Sequence, residues 1–317
     1  MLNALARALK LNPSPRNREA TPLYRSRFGG LWIDRADALE VLQRKLRDGE
    51  VHPDVAEALR YYIEHGYVIF EQAVSHQVID EYLAFFERAW SDPPRGIYAH
   101  SGGQVHPLGK ELYDKVAKVS DLHYYFPRAA DLVFAPRIRS FLEAIYERPA
   151  VVFQTMSMRK GSEEPLHTDT GPLTLTEPMS LAASWIALED VRPGAGALQF
   201  VPGSHALPEV LNNGVSKGHN GDYGAYHKVL QETLRMCEAR GLPTRQFMAR
   251  KGDVLIWAAD LMHGGAPIDD PSLTRKSLVS HYMPLGVMAT FYDFSTVSYV
   301  PYANGGWRLD RIDTGSS

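Results

Sequence analysis

Residues 151–172 read VVFQTMSMRKGSEEPLHTDTGP. A run of β-formers is followed by a Gly- and Pro-punctuated turn, and then by a histidine and an aspartate separated by one residue, His167 and Asp169. In extended backbone, residues i and i+2 point to the same face, so this pair can hold one metal ion from one side. A third ligand must then come from elsewhere in the chain.

Downstream, the texture of 151–172 repeats. MSLAASWIAL, ALQFVPGSH, RQFMARKGDVLIWA and SLVSHYMPL are short β-type segments separated by Gly and Pro turns, a pattern that predicts a sandwich or jelly-roll barrel and not a parallel βαβ sheet. Residues 207–246 interrupt the strands with a polar Gly/Asn loop and a helix, AYHKVLQETLRMCEARG. Upstream the chain reads as helical. DRADALEVLQRKLRDG from Asp34, HPDVAEALRYYIEHG with Pro53 in its first turn and Gly66 past its end, SHQVIDEYLAFFERAW behind Ser75, and PRIRSFLEAIYERP all show apolar residues at helical spacing. YVIFEQAV between them reads as a strand, and 91–120, with DPPRG and HSGGQ, reads as loop. The expected organisation is an extended arm over 1–30 and one domain over 31–317. Within that domain lie a helical part at 31–149, a jelly-roll core at about 150–290 and a helical insertion at 207–246.

With 317 residues, a net charge of −3 and 22% charged side chains, the chain can bury a large core and exerts no global pull on nucleic acid or anionic membrane. A small-molecule partner is expected. Cys237 is the only cysteine, which excludes an internal disulfide framework and a Cys-based metal site and suits a reducing cytoplasm. No apolar run reaches the roughly 18 residues of a membrane helix, and the start, MLNALARALK, is too short and interrupted for a signal peptide. Residues 1–8 have the pattern of a small amphipathic helix. The pattern leaves oligomeric state open.

The best third ligand is His263, at the end of KGDVLIWAADLMHGG, where Gly264 and Gly265 break a strand. Two histidines and one carboxylate on one face of a metal leave the opposite face open, which suits Fe(II) with a bidentate cosubstrate and O2; the same set also describes a catalytic zinc. If the cosubstrate is 2-oxoglutarate, its far carboxylate needs a cation. Arg275, twelve residues after His263, can return on a neighbouring strand and offers a planar fork that stays charged. Ser277 lies on the same strand face and can add a hydroxyl.

Taken in order, VVFQTMSM, LHTDTGP, SWIALEDVRPGAGALQFVPGSH, RKGDVLIWAADLMHGG and TRKSLVSHYMP make residues 150–285 resemble the phytanoyl-CoA dioxygenase family of Fe(II)/2-oxoglutarate-dependent oxygenases. EHGYVIFEQAVSHQVIDEY resembles that family's N-terminal helix-strand-helix opening. The resemblance implies a mainly β fold with flanking helices, built on a double-stranded β-helix (jelly-roll, cupin-like) core. It implies His167, Asp169 and His263 as iron ligands, Arg275 as the 2-oxoglutarate partner, and Gln154 and Trp185 in the cosubstrate pocket. The expected activity is oxidation of a C–H bond of a small organic substrate, releasing succinate and CO2. Halogenating relatives have a small residue at the carboxylate position, so Asp169 points to hydroxylation, with desaturation or cyclisation as other outcomes. Where the family often has Ser two residues after the distal histidine this chain has Gly265, and Thr170 or Ser277 are the candidates to replace that hydroxyl.

The remaining histidines have plainer readings. His205, in PGSH, fits a turn, His281 fits a satisfied core side chain, and His219, Tyr223 and His227 fit either solvated surface or a lid over the site. Arg159 and Lys160 fit a solvated turn or an anion contact. Two other functions stay open at this point: a zinc-dependent hydrolase on the same three ligands, and a non-catalytic cupin-like binding protein.

Overall fold

The computed structural model describes residues 23–219, 221–290 and 297–311. The short amphipathic start and most of the arm, residues 1–22, lie outside the described residues. Six α-helices are described: α1 (Ala38–Arg47), α2 (Pro53–His65), α3 (His76–Ala89), α4 (Ala129–Val133), α5 (Pro136–Tyr146) and α6 (Tyr223–Ala239). The strands are β1 (Tyr67–Phe70), β2 (Tyr98–Ser101), β3 (Gln104–Pro107), β4 (Lys118–Ser120), β5 (Ala150–Met158), β6 (Ala182–Ala187) and β7 (Leu198–Phe200). They continue with β8 (Arg245–Phe247), β9 (Val254–Ala258), β10 (His263–Gly265), β11 (Ser277–Pro284), β12 (Val297–Pro301) and β13 (Trp307–Arg311).

Two sheets form a double-stranded β-helix core. The larger runs β1-β9-β6-β11-β5-β4-β2-β3, and the β12–β13 hairpin lays β13 parallel against the start of β5. The smaller runs β10-β7-β8. Alternation explains why the central strands are buried on both faces. In β6, Ala182 and Ile186 join the cluster beneath the helices with Leu59, Tyr82, Phe86 and Phe141, while Ala183, Trp185 and Ala187 face the second sheet with Leu198, Phe200 and Phe247. In β9, Ile256 goes outward to the helices and Trp257 inward.

Local sequence accounts for most element ends. Gly66 closes α2 in the left-handed region at φ 81°, and Pro53 opens it. Three expectations need correction. The first helix starts at Ala38, not Asp34, because Trp32–Asp34 forms a 3-10 turn in which the Asp34 carboxylate accepts the Leu31 N–H at 2.9 Å. The stretch 91–120 is not all loop: β2 and β3 form a hairpin across Gly102-Gly103, both at positive φ, and β4 joins it to β5. The LHTDT stretch forms no regular strand; its flanking prolines cannot donate to a ladder, and pairing shrinks to one bridge, His167 to His263.

Candidate metal centre

That one bridge assembles the site. The His167 N–H donates to the His263 carbonyl at 2.9 Å and the His263 N–H returns to the His167 carbonyl at 3.0 Å, which sets the two imidazoles with centroids 4.5 Å apart. Two residues on, the Asp169 N–H bonds the Ala259 carbonyl at 3.1 Å. The ligand atoms of His167, Asp169 and His263 lie within 4.8 Å of one another, as a single-metal site requires.

Tautomers follow from the neighbours. His167 Nδ1 lies 2.8 Å from the Pro165 carbonyl and His263 Nδ1 lies 2.9 Å from the Leu261 carbonyl. A carbonyl only accepts, so each Nδ1 carries the proton and each Nε2 lone pair is free for a metal. Burial holds the His263 imidazole down at about 4 against the pull of Asp169, so it stands neutral and ready to ligate. Burial alone would raise the Asp169 carboxyl, but the His263, His281 and His167 imidazoles hold it well below the usual carboxylate range. Its Oδ2 accepts the Trp257 Nε1–H at 2.8 Å, and its Oδ1 lies 3.6 Å from Nε2 of both His263 and His281.

The triad opens on a cavity of about 240 Å3 that Gln154, Met156, Trp185, Leu173, Arg275 and His281 help to line. Arg275 is 1% exposed, its Cζ stands 5.4 Å from the Trp185 ring centroid, and its Nη2 contacts Met158 Sδ at 3.8 Å. Its Nε and the Trp185 Nε1 have no partner among the described residues, and burial alone pulls the guanidinium down to about 10. A buried guanidinium without a carboxylate, facing the same cavity as the triad, fits a dicarboxylate chelated at one end to the metal.

Two of the expected pocket residues are placed elsewhere. Thr170 is turned away from the cavity, and its hydroxyl donates to Asp260 Oδ1 at 2.5 Å. Ser277 is fully buried between β5 and β6 and is not among the cavity-lining residues. Ser162 does line the cavity: a Cβ built on Gly265 would lie 2.5 Å from Ser162 Oγ and 2.7 Å from the Glu163 nitrogen. The space of a residue-265 side chain is therefore filled from the turn before His167. Sequence reading also missed Trp257, Lys118, Met156 and Met158. Strand parity from Gln154 points to both methionines and parity from Trp185 has its counterpart in Trp257, whereas Lys118 lies in the stretch read as loop and pairs with Glu164 at the cavity edge. His281, expected in the core, is buried and also faces Asp169. None of the insertion's described residues lines the cavity.

Fold and site together define a double-stranded β-helix protein with a His-Asp-His mononuclear metal centre. A model of the family "Phytanoyl-CoA dioxygenase (PhyH)" matches residues 62–276, and the chain belongs to this family. It is 26% identical to phytanoyl-CoA dioxygenase domain-containing protein 1 of Mus musculus over 175 residues, 54% of this chain and 58% of that protein. The match therefore spans little more than half of that relative's length. It is 23% identical to the peroxisomal phytanoyl-CoA dioxygenase of Rattus norvegicus over 239 residues, 71% of this chain and 67% of that protein. Among solved structures it resembles the non-heme alpha ketoglutarate dependent carbocyclase SnoK from nogalamycin biosynthesis, with TM-score 0.55, 22% identity and coverage of 72% of this chain and 83% of that one. It also resembles the epimerase SnoN in complex with Fe3+, alpha ketoglutarate and nogalamycin RO, with TM-score 0.56, 20% identity and coverage of 81% and 98%. At these identities the structural likeness establishes a common fold. No described helix is long and apolar enough to cross a membrane.

Proposed function

We propose that the protein is an Fe(II)- and 2-oxoglutarate-dependent oxygenase that oxidises a C–H bond of a small organic substrate. The observation that carries this reading is the pairing of the triad, across one cavity, with a buried Arg275 that has no carboxylate partner among the described residues. When bound, Fe(II) with 2-oxoglutarate and O2 supplies C–H oxidation coupled to decarboxylation, yielding succinate and CO2. The chain's own part is to hold and exclude. His167 and His263 present their Nε2 atoms, Asp169 stays anionic with Trp257 fixing one oxygen, and Arg275 receives the far carboxylate of the cosubstrate. Ser162 supplies the hydroxyl that Gly265 lacks.

A cavity of about 240 Å3 is small beside the roughly 300–1,000 Å3 of ordinary ligand pockets, and the cosubstrate takes part of it. The substrate therefore enters by the segment to be oxidised while the rest stays at the mouth. Asp169 favours hydroxylation; the solved relatives named as carbocyclase and epimerase carry other outcomes on the same fold. A single free, buried cysteine supports a cytoplasmic setting, and the near-neutral charge supports a small-molecule partner over nucleic acid. The folded unit is taken to be one domain from residue 31 onward. A zinc hydrolase on the same ligands, or a cupin-like binder, leaves the buried Arg275 without a task.

The direct test is anaerobic. Fe(II) and 2-oxoglutarate are added to metal-free protein, and the weak visible charge-transfer band of the chelate is sought in wild type and in His263→Ala. A band lost in the variant supports the reading. Zinc retention with no such band overturns it, and band formation without succinate release across a broad substrate panel turns it toward a binding protein.

A further inference from the structure

The described residues of the insertion at 207–246 line no part of the cavity; they pack against both chain segments that carry the metal ligands. Its apolar contact is specific. Leu234 and Cys237 of α6, with Leu207 and Leu242, cluster against Leu166 and Met262, the residues that directly precede the two ligand histidines. Polar contacts reinforce the seam. The His219 N–H donates to the Gly171 carbonyl at 3.2 Å, and the Tyr226 hydroxyl donates to the Thr168 carbonyl at 3.1 Å.

At the centre of the seam stand Lys217 and Asp260. Lys217 Nζ lies 2.5 Å from Asp260 Oδ2 and 3.4 Å from Glu209 Oε1, with side chains 15%, 20% and 15% exposed. Asp260 Oδ1 accepts the hydroxyl of Thr170, the residue after ligand Asp169. Asp260 itself sits between Ala259, whose carbonyl holds the Asp169 N–H, and Leu261, whose carbonyl holds the His263 Nδ1 proton. One carboxylate thus bridges the Asp169 segment and the His263 segment, and one lysine ties that bridge to the insertion. The seam is not fully packed: a gap of about 40 Å3, lined by Thr168, Thr170, Glu209, Lys217, Thr233 and Asp260, runs along it. A contact that is partly polar and incompletely filled can part without unfolding the sheets behind it.

We propose that Asp260 is a positioning residue for the metal ligands and that Lys217 locks it, so that docking of the insertion and metal binding are coupled. Neither residue touches the metal or the reacting atoms. Coupling is reciprocal by thermodynamic necessity: if the docked insertion tightens the ligand set, a bound metal must tighten the insertion. This rests on the triad holding a metal and not on which reaction follows.

The test uses the full chain and Fe(II) alone, under nitrogen, with two readouts: affinity by chelator competition, and amide hydrogen exchange within 207–219 and 223–239. In wild type, Fe(II) is expected to slow exchange across the insertion. Lys217→Met is expected to weaken Fe(II) affinity about 5- to 20-fold and to abolish the metal-dependent slowing, and Lys217→Arg is expected to restore both. Should Lys217→Met fail to fold, Thr170→Val serves instead. It cuts the bridge on the metal side only, so affinity falls while exchange in the metal-free insertion stays at the wild-type rate. Wild-type affinity in Thr170→Val, and in Lys217→Met where it folds, with normal Fe(II) binding by wild type, overturns the coupling and leaves the oxygenase reading intact. No Fe(II) binding by wild type overturns both.

Discussion

Trp257 shows how a residue that never touches the metal can govern it. Its Nε1–H fixes Asp169 Oδ2 at 2.8 Å while its ring lies 4.6 Å from that of His263. Phenylalanine keeps most of the ring and loses the donor, so Trp257→Phe is expected to lower Fe(II) affinity about 10-fold with a small change in folding stability; chelator competition beside a denaturant titration reads both. Arg275 is bounded differently. If Arg275 holds the far carboxylate of the cosubstrate as proposed, Arg275→Ala is expected to raise the apparent 2-oxoglutarate requirement by roughly 10- to 100-fold while iron content stays near wild type, checked by cosubstrate titration and metal analysis. The three ligands were readable because each depends on residue type and order along the chain, and the same reasoning proposes Arg275 for the cosubstrate. Trp257 and Ser162 were not, because their roles depend on which atoms meet across strands distant in sequence.

Among the elements, strands were legible where composition forced them and hidden where pairing did. β5, β6, β9 and β11 are β-rich runs buried on both faces, and a run of that kind has few alternatives. β2, β3 and β4 are short and largely polar, and a partner strand makes them strands; the Gly102-Gly103 pair was the one local signal. The His167 segment errs in the other direction, since its i, i+2 spacing suggested a strand and a single bridge serves instead. Helix ends also touch the site. Gly66, which closes α2 with φ 81°, has no room for a side chain: a Cβ there would lie 2.4 Å from His205 Nδ1 and 3.0 Å from Leu261 Cδ1. Gly66→Ala is expected to cost about 2 kcal/mol or more by denaturant unfolding, combining an unfavourable left-handed backbone with a clash. Because Leu261 also holds the His263 Nδ1 proton through its carbonyl, iron affinity is expected to fall in the same variant.

Across the molecule, acid sensitivity follows from histidines folded as neutral side chains. Burial, with Arg308 nearby, holds His123 down at about 3, and burial with Arg25 holds His205 at about 4. Each lies below the unfolded value near 6.5, so the unfolded chain binds more protons as pH falls through that value, and stability is lost on the acid side. The loss is on the order of 2 kcal/mol per histidine between pH 7 and pH 5. Asp34 works in the opposite sense: burial pushes its carboxyl up to about 6, so its contribution is present at low pH and lost as pH rises through that value. Two histidines outweigh one carboxyl here, and the melting temperature of metal-free protein is expected to fall from pH 7 to 5. His123→Gln should flatten that slope; an unchanged slope would show that His123 is not its source.

The exchange between Gly265 and Ser162 bears on how related chains should be compared. Read by its own position, residue 265 offers no side chain, yet the space its Cβ would take is closed by an oxygen from five residues before His167. The space beside Gly265 is thus filled from a position distant along the strand order. A relative with glycine after the distal His-Gly and serine five residues before its first ligand histidine is expected to close the same space as this chain does. One with the same glycine and no such serine leaves that space open, so pockets of this kind are told apart by pairs of positions and not by single ones.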